Sequence, residues 1–338
     1  MQAYELRDGF GLDHLRLIER DTPAAGPHQA LVAVRACSIN FRDLSIVVGT
    51  YNPRLKMPMT PLSDAAGEVV AIGEGTTRVK VGDRVAAAFM PAWIAGAPDV
   101  TKARTALGGG GNVPGTAATH LVLPEEALVP LPAGLSFEEA ATLPCAGVTA
   151  WNAVVDAGNL RPGETMLILG SGGVSLFALQ FARAAGARVI ALSSSDDKLE
   201  RLRAMGASDG INYRTTPTWD NAVKQATGGV GVDLVIETGG GGTLARSLSA
   251  VRMGGRISLM GSLAEGTDFS HIPILMKSIR LQGILVGSRA MFEAMLAAIE
   301  LHRIKPVIDR VFAFDELPAA LSHMQSGAHF GKIVVRVA

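Results

Sequence analysis

The chain has 338 residues, 48% of them apolar, with 31 basic residues balanced by 31 acidic ones. That length supports two domains with sizeable cores. A net charge of zero, with no basic block or acidic tail, argues against nucleic acid or an anionic membrane as the main partner. The only cysteines, Cys37 and Cys145, are too few for a disulfide framework or a four-thiolate zinc site.

The first residues, MQAYELRDGFGLD, contain no apolar h-region, so no signal peptide is evident and a cytoplasmic location is expected. From residue 1 to about 145 the pattern is mostly β, with strands expected at Leu31 to Ala36, Glu68 to Ile72 and Arg84 to Ala88. Short turns such as Gly73-Glu74-Gly75 and Val81-Gly82-Asp83 separate them, which suggests a barrel-like domain. Pro91 to Gly115 reads as a loop ending in Gly108 to Gly111, either the border of a pocket or a surface connection.

From about 146 to 288 strands alternate with helices, as a parallel, doubly wound sheet requires. Thr165 to Leu169 and Arg188 to Leu192 are strands around a buried helix. A helix carries Leu199, Leu202 and Met205 on one face, and strands are expected at Val232 to Ile236, Arg256 to Met260 and Leu281 to Val286. A helix near Leu244 to Val251 lies between two of them. One more helix, about Ala290 to His302, and a strand at Lys332 to Val337 finish the chain. Thr165 to Ala182 holds 18 uncharged residues, close to a membrane span in length. Its turn glycines make it part of a soluble core instead.

The most informative segment is the turn at Gly170, Ser171, Gly172, Gly173 and Val174, between the strand from Thr165 and the helix. Such a turn lets backbone N–H groups close on a pyrophosphate, whose charge the helix N-terminus favours. Ser175 stands where a third glycine is usual. NAD-preferring folds carry an acidic residue at the end of the next strand, about 20 residues on. Here that strand ends in Ser193, Ser194 and Ser195, whose hydroxyls can donate to a 2′-phosphate, with Lys198 as countercharge. NADPH is therefore expected. Asp196 or Asp197 would still allow NADH, and the serines could instead cap the following helix. Further strand ends at Thr238 to Gly240, Gly261-Ser262 and Gly287-Ser288 are candidates for the wall of a cofactor groove.

Several segments in order resemble the medium-chain dehydrogenase/reductase superfamily over nearly the whole chain. Ser38-Ile39-Asn40-Phe41-Arg42-Asp43 is similar to the N-x-x-D segment of quinone oxidoreductases and of polyketide-synthase enoyl reductases. Pro61-Leu62-Ser63-Asp64-Ala65-Ala66-Gly67 falls where zinc alcohol dehydrogenases carry G-H-E-x-x-G. Val81 to Val85 matches the family's barrel turn and Gly147 to Trp151 its domain junction. The resemblance implies a Rossmann sheet plus a GroES-like β-barrel catalytic domain. The expected divisions are 1–145 catalytic, 146–288 nucleotide-binding, and 289–338 returning to the catalytic domain.

The same resemblance places Asn40, Ser63 and Cys145 where relatives hold catalytic zinc. Three good nitrogen, sulfur or carboxylate ligands are absent there, so a zinc-free enzyme is expected. Gly49-Thr50-Tyr51 resembles the G-x-Y of zinc-free enoyl reductases, which makes Tyr51 the candidate proton donor, or else a pocket wall. Asn40 would donate to substrate or cofactor, or tie down its loop, and Arg42 with Asp43 reads as a structural ion pair. Thr149 and Ser288 are expected near the nicotinamide, Tyr213 beside the 2′-phosphate, and Lys332 as a further phosphate contact. Gly261 would face the cofactor across its groove.

The expected activity is NADPH-dependent hydride transfer to a small apolar α,β-unsaturated carbonyl or quinone. The alternatives are an alcohol dehydrogenase on the same scaffold, or an NADPH-binding sensor with little turnover. A homodimer is expected from the resemblance.

Overall fold

Two hydrophobic patterns, alternating and continuous, build two different sheets. The computed structural model describes residues 1–109, 113–261, 263 and 270–337. The chain divides into two units, Met1–Val148 with Gly287–Ala338, and Thr149–Val286.

The first unit begins with β1 (Gln2–Leu6), β2 (Leu15–Glu19), β3 (Gln29–Ile39), β4 (Asp64–Ile72), β5 (Arg84–Ala87), β6 (His120–Pro124) and β7 (Leu128–Pro130). Along β3 buried and half-exposed residues alternate up to Ala36, the mark of a strand with one face in the core. From Ala36 to Ile39 every residue is buried. Ser38 is therefore held without water, and it needs a partner. It lies directly opposite Asp64 in the antiparallel pairing of β3 with β4.

The helix Phe41–Val47 follows β3 at once, an element that the strand-rich pattern did not suggest. Asp43 Oδ2 accepts the Asn40 backbone N–H at 2.8 Å, half of a capping box, so the N-x-x-D spacing is a helix start. Within the Pro91 to Gly115 loop, Val100–Ala103 forms a short helical turn. Gly110 and Gly111 of its glycine run lie outside the described residues.

In the second unit β8 (Thr165–Leu169), β9 (Arg188–Ser193), β10 (Asp209–Asn212), β11 (Val232–Glu237), β12 (Val251–Leu259) and β13 (Arg280–Gly283) form one parallel sheet. Its order is β10-β9-β8-β11-β12-β13. This is the doubly wound Rossmann order, with its reversal between β8 and β11. Leu167, Ile190, Val235 and Ile257 fill the core beside Leu244 and Leu248 of the helix Gly241–Ala250. The last strand is shorter than expected, because pairing with β12 ends at Gly283 and Val286 turns left-handed, φ 52°.

The return segment carries two helices rather than one, Arg289–Leu301 and Leu317–Gln325, with β14 (Ile308–Ala313) between them. Leu317, Ala320, Leu321 and Met324 are buried at helical spacing. β15 (Lys332–Arg336) pairs antiparallel with β3, which places the C-terminal strand against Ser38 and Ile39. The seven-stranded sheet thus runs β14-β15-β3-β4-β5-β7, with β6 on β3.

Candidate functional site

The ligand of an open parallel sheet lies beyond the carboxyl ends of its strands, at the reversal. Here that point is the end of β8. Gly170 has φ 78°, a left-handed turn that glycine adopts without strain. A Cβ added at Gly170 or Gly172 would meet no protein atom within 4 Å. The space over the turn is therefore open, and the helix Gly173–Ala184 starts beneath it. Ser171 is buried, and Val174 lies in the first turn of that helix. Ser175 donates its hydroxyl to the Leu169 carbonyl at 2.7 Å, which explains a serine in the third small position. These residues fit a dinucleotide pyrophosphate, bound by backbone N–H groups and the helix end.

The neighbouring strand ends are stitched to the same point. Thr238 donates its hydroxyl to the Leu169 carbonyl at 3.0 Å. Gly261 is needed because a Cβ there would stand 1.8 Å from the Thr238 carbonyl oxygen. Ser262 lies outside the described residues. The glycine turn after β11 is closed to an anion from outside. Glu237, fully buried, accepts from the N–H groups of Gly239 and Gly240 and from the hydroxyls of Thr243 and Ser247. The turn after β8, in contrast, keeps its cradle open.

At the second strand end, Ser193 is buried and its carbonyl accepts from the Tyr213 N–H at 3.0 Å. That bond brings the two predicted 2′-phosphate residues together, with the Tyr213 ring half exposed. Ser194 follows half-buried, and Ser195 caps the helix Asp196–Ala204 through the Lys198 N–H. The capping role thus falls to Ser195 and not to Ser193 or Ser194. Asp196 is engaged by the Asn212 amide at 2.8 Å. Thr149, buried, opens this unit.

Of three predicted residues of the first unit, one turns out differently, Lys332. Ser288 caps the helix Arg289–Leu301 through the Met291 N–H at 3.2 Å. Lys332 is not a phosphate contact: it is 3% exposed, and its ammonium donates to the Ile39 carbonyl at 2.8 Å and to Asn40 Oδ1 at 2.6 Å. Asn40 is held at both ends of its amide, since its Nδ2 donates to Asp64 Oδ2 at 2.9 Å. Its placing is that of a tie, which leaves little of it for a substrate.

Asp64 is the centre of this cluster. Oδ2 also accepts from Ser38 Oγ at 2.8 Å and lies 3.6 Å from the Lys332 ammonium, while Oδ1 has no partner among the described residues. Burial raises its pKa, and Lys332 opposes that shift. Asp43, equally buried, is pushed up to about 6 by desolvation, with Arg42 pulling the other way from 3.1 Å. The Arg42–Asp43 pair is present as expected. Burial pushes the Cys37 thiol up to about 12, so it is an inert hydrophobe, and Cys145 shifts the same way for the same reason. Tyr51 stands half exposed with its ring 5.3 Å from the Arg42 guanidinium.

The donor set does not suit catalytic zinc. Asn40 and Ser63 offer an amide and a hydroxyl where a metal wants imidazole or thiolate. Asn40 Oδ1, the one ligating atom of that amide, already carries an ammonium. Among the described residues no group of three or more His, Cys, Asp or Glu side chains could hold a metal ion. That Asp64, Ser38 and Lys332 form one buried cluster escaped the sequence reading, because strand pairing brings them together. The available signal was a lysine at the head of the apolar run Lys332 to Val337.

Comparison with known proteins agrees with both sheets. Residues 26–133 match the alcohol dehydrogenase GroES-like domain and residues 173–300 the zinc-binding dehydrogenase domain. A zinc-type alcohol dehydrogenase-like protein of Schizosaccharomyces pombe is 43% identical over 97% of this chain and 96% of its own. The crystal structure of a putative alcohol dehydrogenase from Sinorhizobium meliloti 1021 superposes with a TM-score of 0.91 at 40% identity, covering 99% of this chain and 98% of that one. A quinone oxidoreductase from Pseudomonas syringae pv. tomato DC3000 gives 0.84 at 25% identity, over 99% of both chains. With an open dinucleotide cradle and matches along its length, the chain belongs to the zinc-type alcohol dehydrogenase superfamily of medium-chain dehydrogenases/reductases, a family of NAD(P)-dependent oxidoreductases.

Proposed function

We propose that the chain is an NADP(H)-dependent oxidoreductase that interconverts an apolar alcohol and its carbonyl without zinc. The observation that carries this reading is the Lys332 ammonium seated on Asn40 Oδ1. The cluster already contains a fixed cation where the resemblance puts a metal ligand. The printed names of the relatives favour alcohol and carbonyl as substrates. The nicotinamide, when bound, supplies or takes the hydride.

The chain's own residues do the rest. The N–H groups of the Gly170 to Val174 turn bind the pyrophosphate, with Gly261 leaving room across the groove. Ser193, Ser194, Lys198 and Tyr213 favour the 2′-phosphate, and Thr149 and Ser288 approach the nicotinamide. Tyr51, exposed beside a guanidinium, gives or receives the proton. The assembly is a cytoplasmic homodimer.

A second reading is reduction of an α,β-unsaturated carbonyl or a quinone. The amide and hydroxyl at Asn40 and Ser63 favour it, because neither reaction needs a Lewis acid, and so does the likeness to a quinone oxidoreductase. NADPH consumption with aldehydes, ketones, enones and quinones separates the two. Fastest turnover of saturated aldehydes or ketones supports the first, and turnover of enones or quinones alone supports the second. Tight NADPH binding with no turnover would make the protein a sensor. Ser193→Asp should move the preference at least about tenfold toward NADH, since a carboxylate repels the 2′-phosphate and accepts from a ribose hydroxyl. An unchanged NADPH:NADH ratio would refute the serine argument.

A further inference from the structure

Arg42 is the one cation of the buried cluster that its neighbours do not complete. Its side chain is 11% exposed and lies in the first turn of the helix Phe41–Val47. Nη1 donates to Asp43 Oδ1 at 3.1 Å. Nε and Nη2 are buried and have no hydrogen-bond partner among the described residues. These two nitrogens form one edge of the guanidinium, the fork that binds two acceptor lone pairs side by side. Two rings lie beside the guanidinium as well: the Phe89 centroid is 4.9 Å from Cζ and the Tyr51 centroid 5.3 Å. Nη1 is anchored, two aromatic rings lie close by, and the Nε and Nη2 edge has no hydrogen-bond partner among the described residues.

A buried donor without an acceptor is costly, and two on one charged group cost more. No carboxylate of the group hydrogen-bonds this edge, although Asp64 Oδ1 is itself left without a partner among the described residues. Asp43 uses Oδ2 for the Asn40 N–H, and Asp64 Oδ2 is taken by Asn40, Ser38 and, at 3.6 Å, Lys332. Arg42 and Lys332 balance Asp43 and Asp64 in charge, so the cluster can accept a developing negative charge without already holding an excess of it.

We propose that the Nε and Nη2 edge of Arg42 is the oxyanion-binding element, taking the substrate oxygen that gains charge as hydride adds to the adjoining carbon. This rests on the carbonyl reading above. In the reducing direction hydride adds to the carbonyl carbon, the C–O π pair moves onto oxygen, and Arg42 holds that pair. A proton from Tyr51 or water then completes the alcohol. In a conjugated substrate the charge reaches the same oxygen as an enolate. A positioned guanidinium provides what a metal would otherwise provide, without exchanging with solvent.

The test uses Arg42→Lys, which keeps the charge and can still pair with Asp43 but has no fork, and Arg42→Ala with added guanidinium chloride. Arg42→Lys should lower kcat for the best carbonyl substrate about 100-fold while leaving the NADPH dissociation constant unchanged. Millimolar guanidinium should restore part of the rate to Arg42→Ala, and methylammonium should not. Benzoate, which presents two acceptor oxygens, should bind the wild-type protein and lose at least tenfold in affinity in Arg42→Lys. If Arg42→Lys turns over at the wild-type kcat, the proposal fails while the carbonyl reading stands. If the wild-type protein reduces no carbonyl yet binds benzoate through Arg42, the site stands and the carbonyl reading fails. Absence of benzoate binding to the wild-type protein would overturn the proposal, whether or not Arg42→Ala folds.

Discussion

Asp43 and Lys332 show what a single buried charge requires. Each sits without water, and each is held by named partners: Arg42 and the Asn40 N–H for one, Ile39, Asn40 and Asp64 for the other. The Asp43 carboxyl titrates near 6, above its ordinary value near 4, because desolvation outweighs Arg42. In the pH range between those values the native state keeps a proton that the unfolded chain loses. Its contribution to stability is thus complete below about pH 4 and is lost as pH rises through about 6. Two units correspond to about 3 kcal/mol. Urea unfolding of the wild type and Asp43→Asn should show the wild type gaining on the variant by that order as pH falls from 7 to 4. A constant difference across the range would contradict the assignment. The Asn40 and Asp43 pair was legible as a motif, but its meaning was not. The sequence shows a spacing of three, and only the strand-to-helix junction turns that spacing into a cap with Lys332 behind it.

Elements were more legible than side chains, for a physical reason. The periods of strand and helix are written locally, so β8 spans Thr165–Leu169 as expected and β11 only one residue beyond its expected range, Val232–Glu237. The helix Phe41–Val47 was hidden because it is seven residues long and follows directly on a strand. The helix Leu317–Gln325 did carry its signal, Leu317, Ala320, Leu321 and Met324, behind a proline in its first turn. Loop after loop, the glycines look alike in sequence. The structure distinguishes them: the turn after β11 is filled by Glu237, and the turn after β8 is open. Gly172 has φ −77° and ψ 176°, a conformation alanine accepts, with free space at the Cβ position. Gly172→Ala should therefore leave the unfolding free energy within about 0.5 kcal/mol of wild type. It should weaken NADPH binding at least about tenfold by standing in the pyrophosphate's place. Unchanged affinity measured by fluorescence titration would remove that turn from the cofactor site.

At the scale of the whole molecule, the second unit ends in a free sheet edge. Among the described residues β13 pairs on one side only, and the helix Ile272–Met276 before it exposes Ile272, Leu275 and Met276. An unpaired edge with apolar neighbours is a surface that proteins usually cover. A homodimer is expected to cover it, giving a light-scattering mass of twice 35.2 kDa. Leu275→Asp should lower that mass to one chain, and a monomeric wild type at micromolar concentration would contradict the assembly. No helix among the described residues is long and apolar enough to cross a membrane.

The molecule as a whole combines an open dinucleotide cradle with a buried cluster whose cations are Arg42 and Lys332. Hydride transfer without a metal, proposed above, is open to direct measurement. The protein is stripped with a strong chelator, its metal content is determined, and the initial rate of NADPH oxidation with its best carbonyl substrate is compared before and after. The rate should be unchanged at less than 0.1 equivalent of zinc (roughly the background of a site that binds none), and added zinc should not raise it. Loss of activity on stripping, restored by about one equivalent of zinc per chain, would contradict the account.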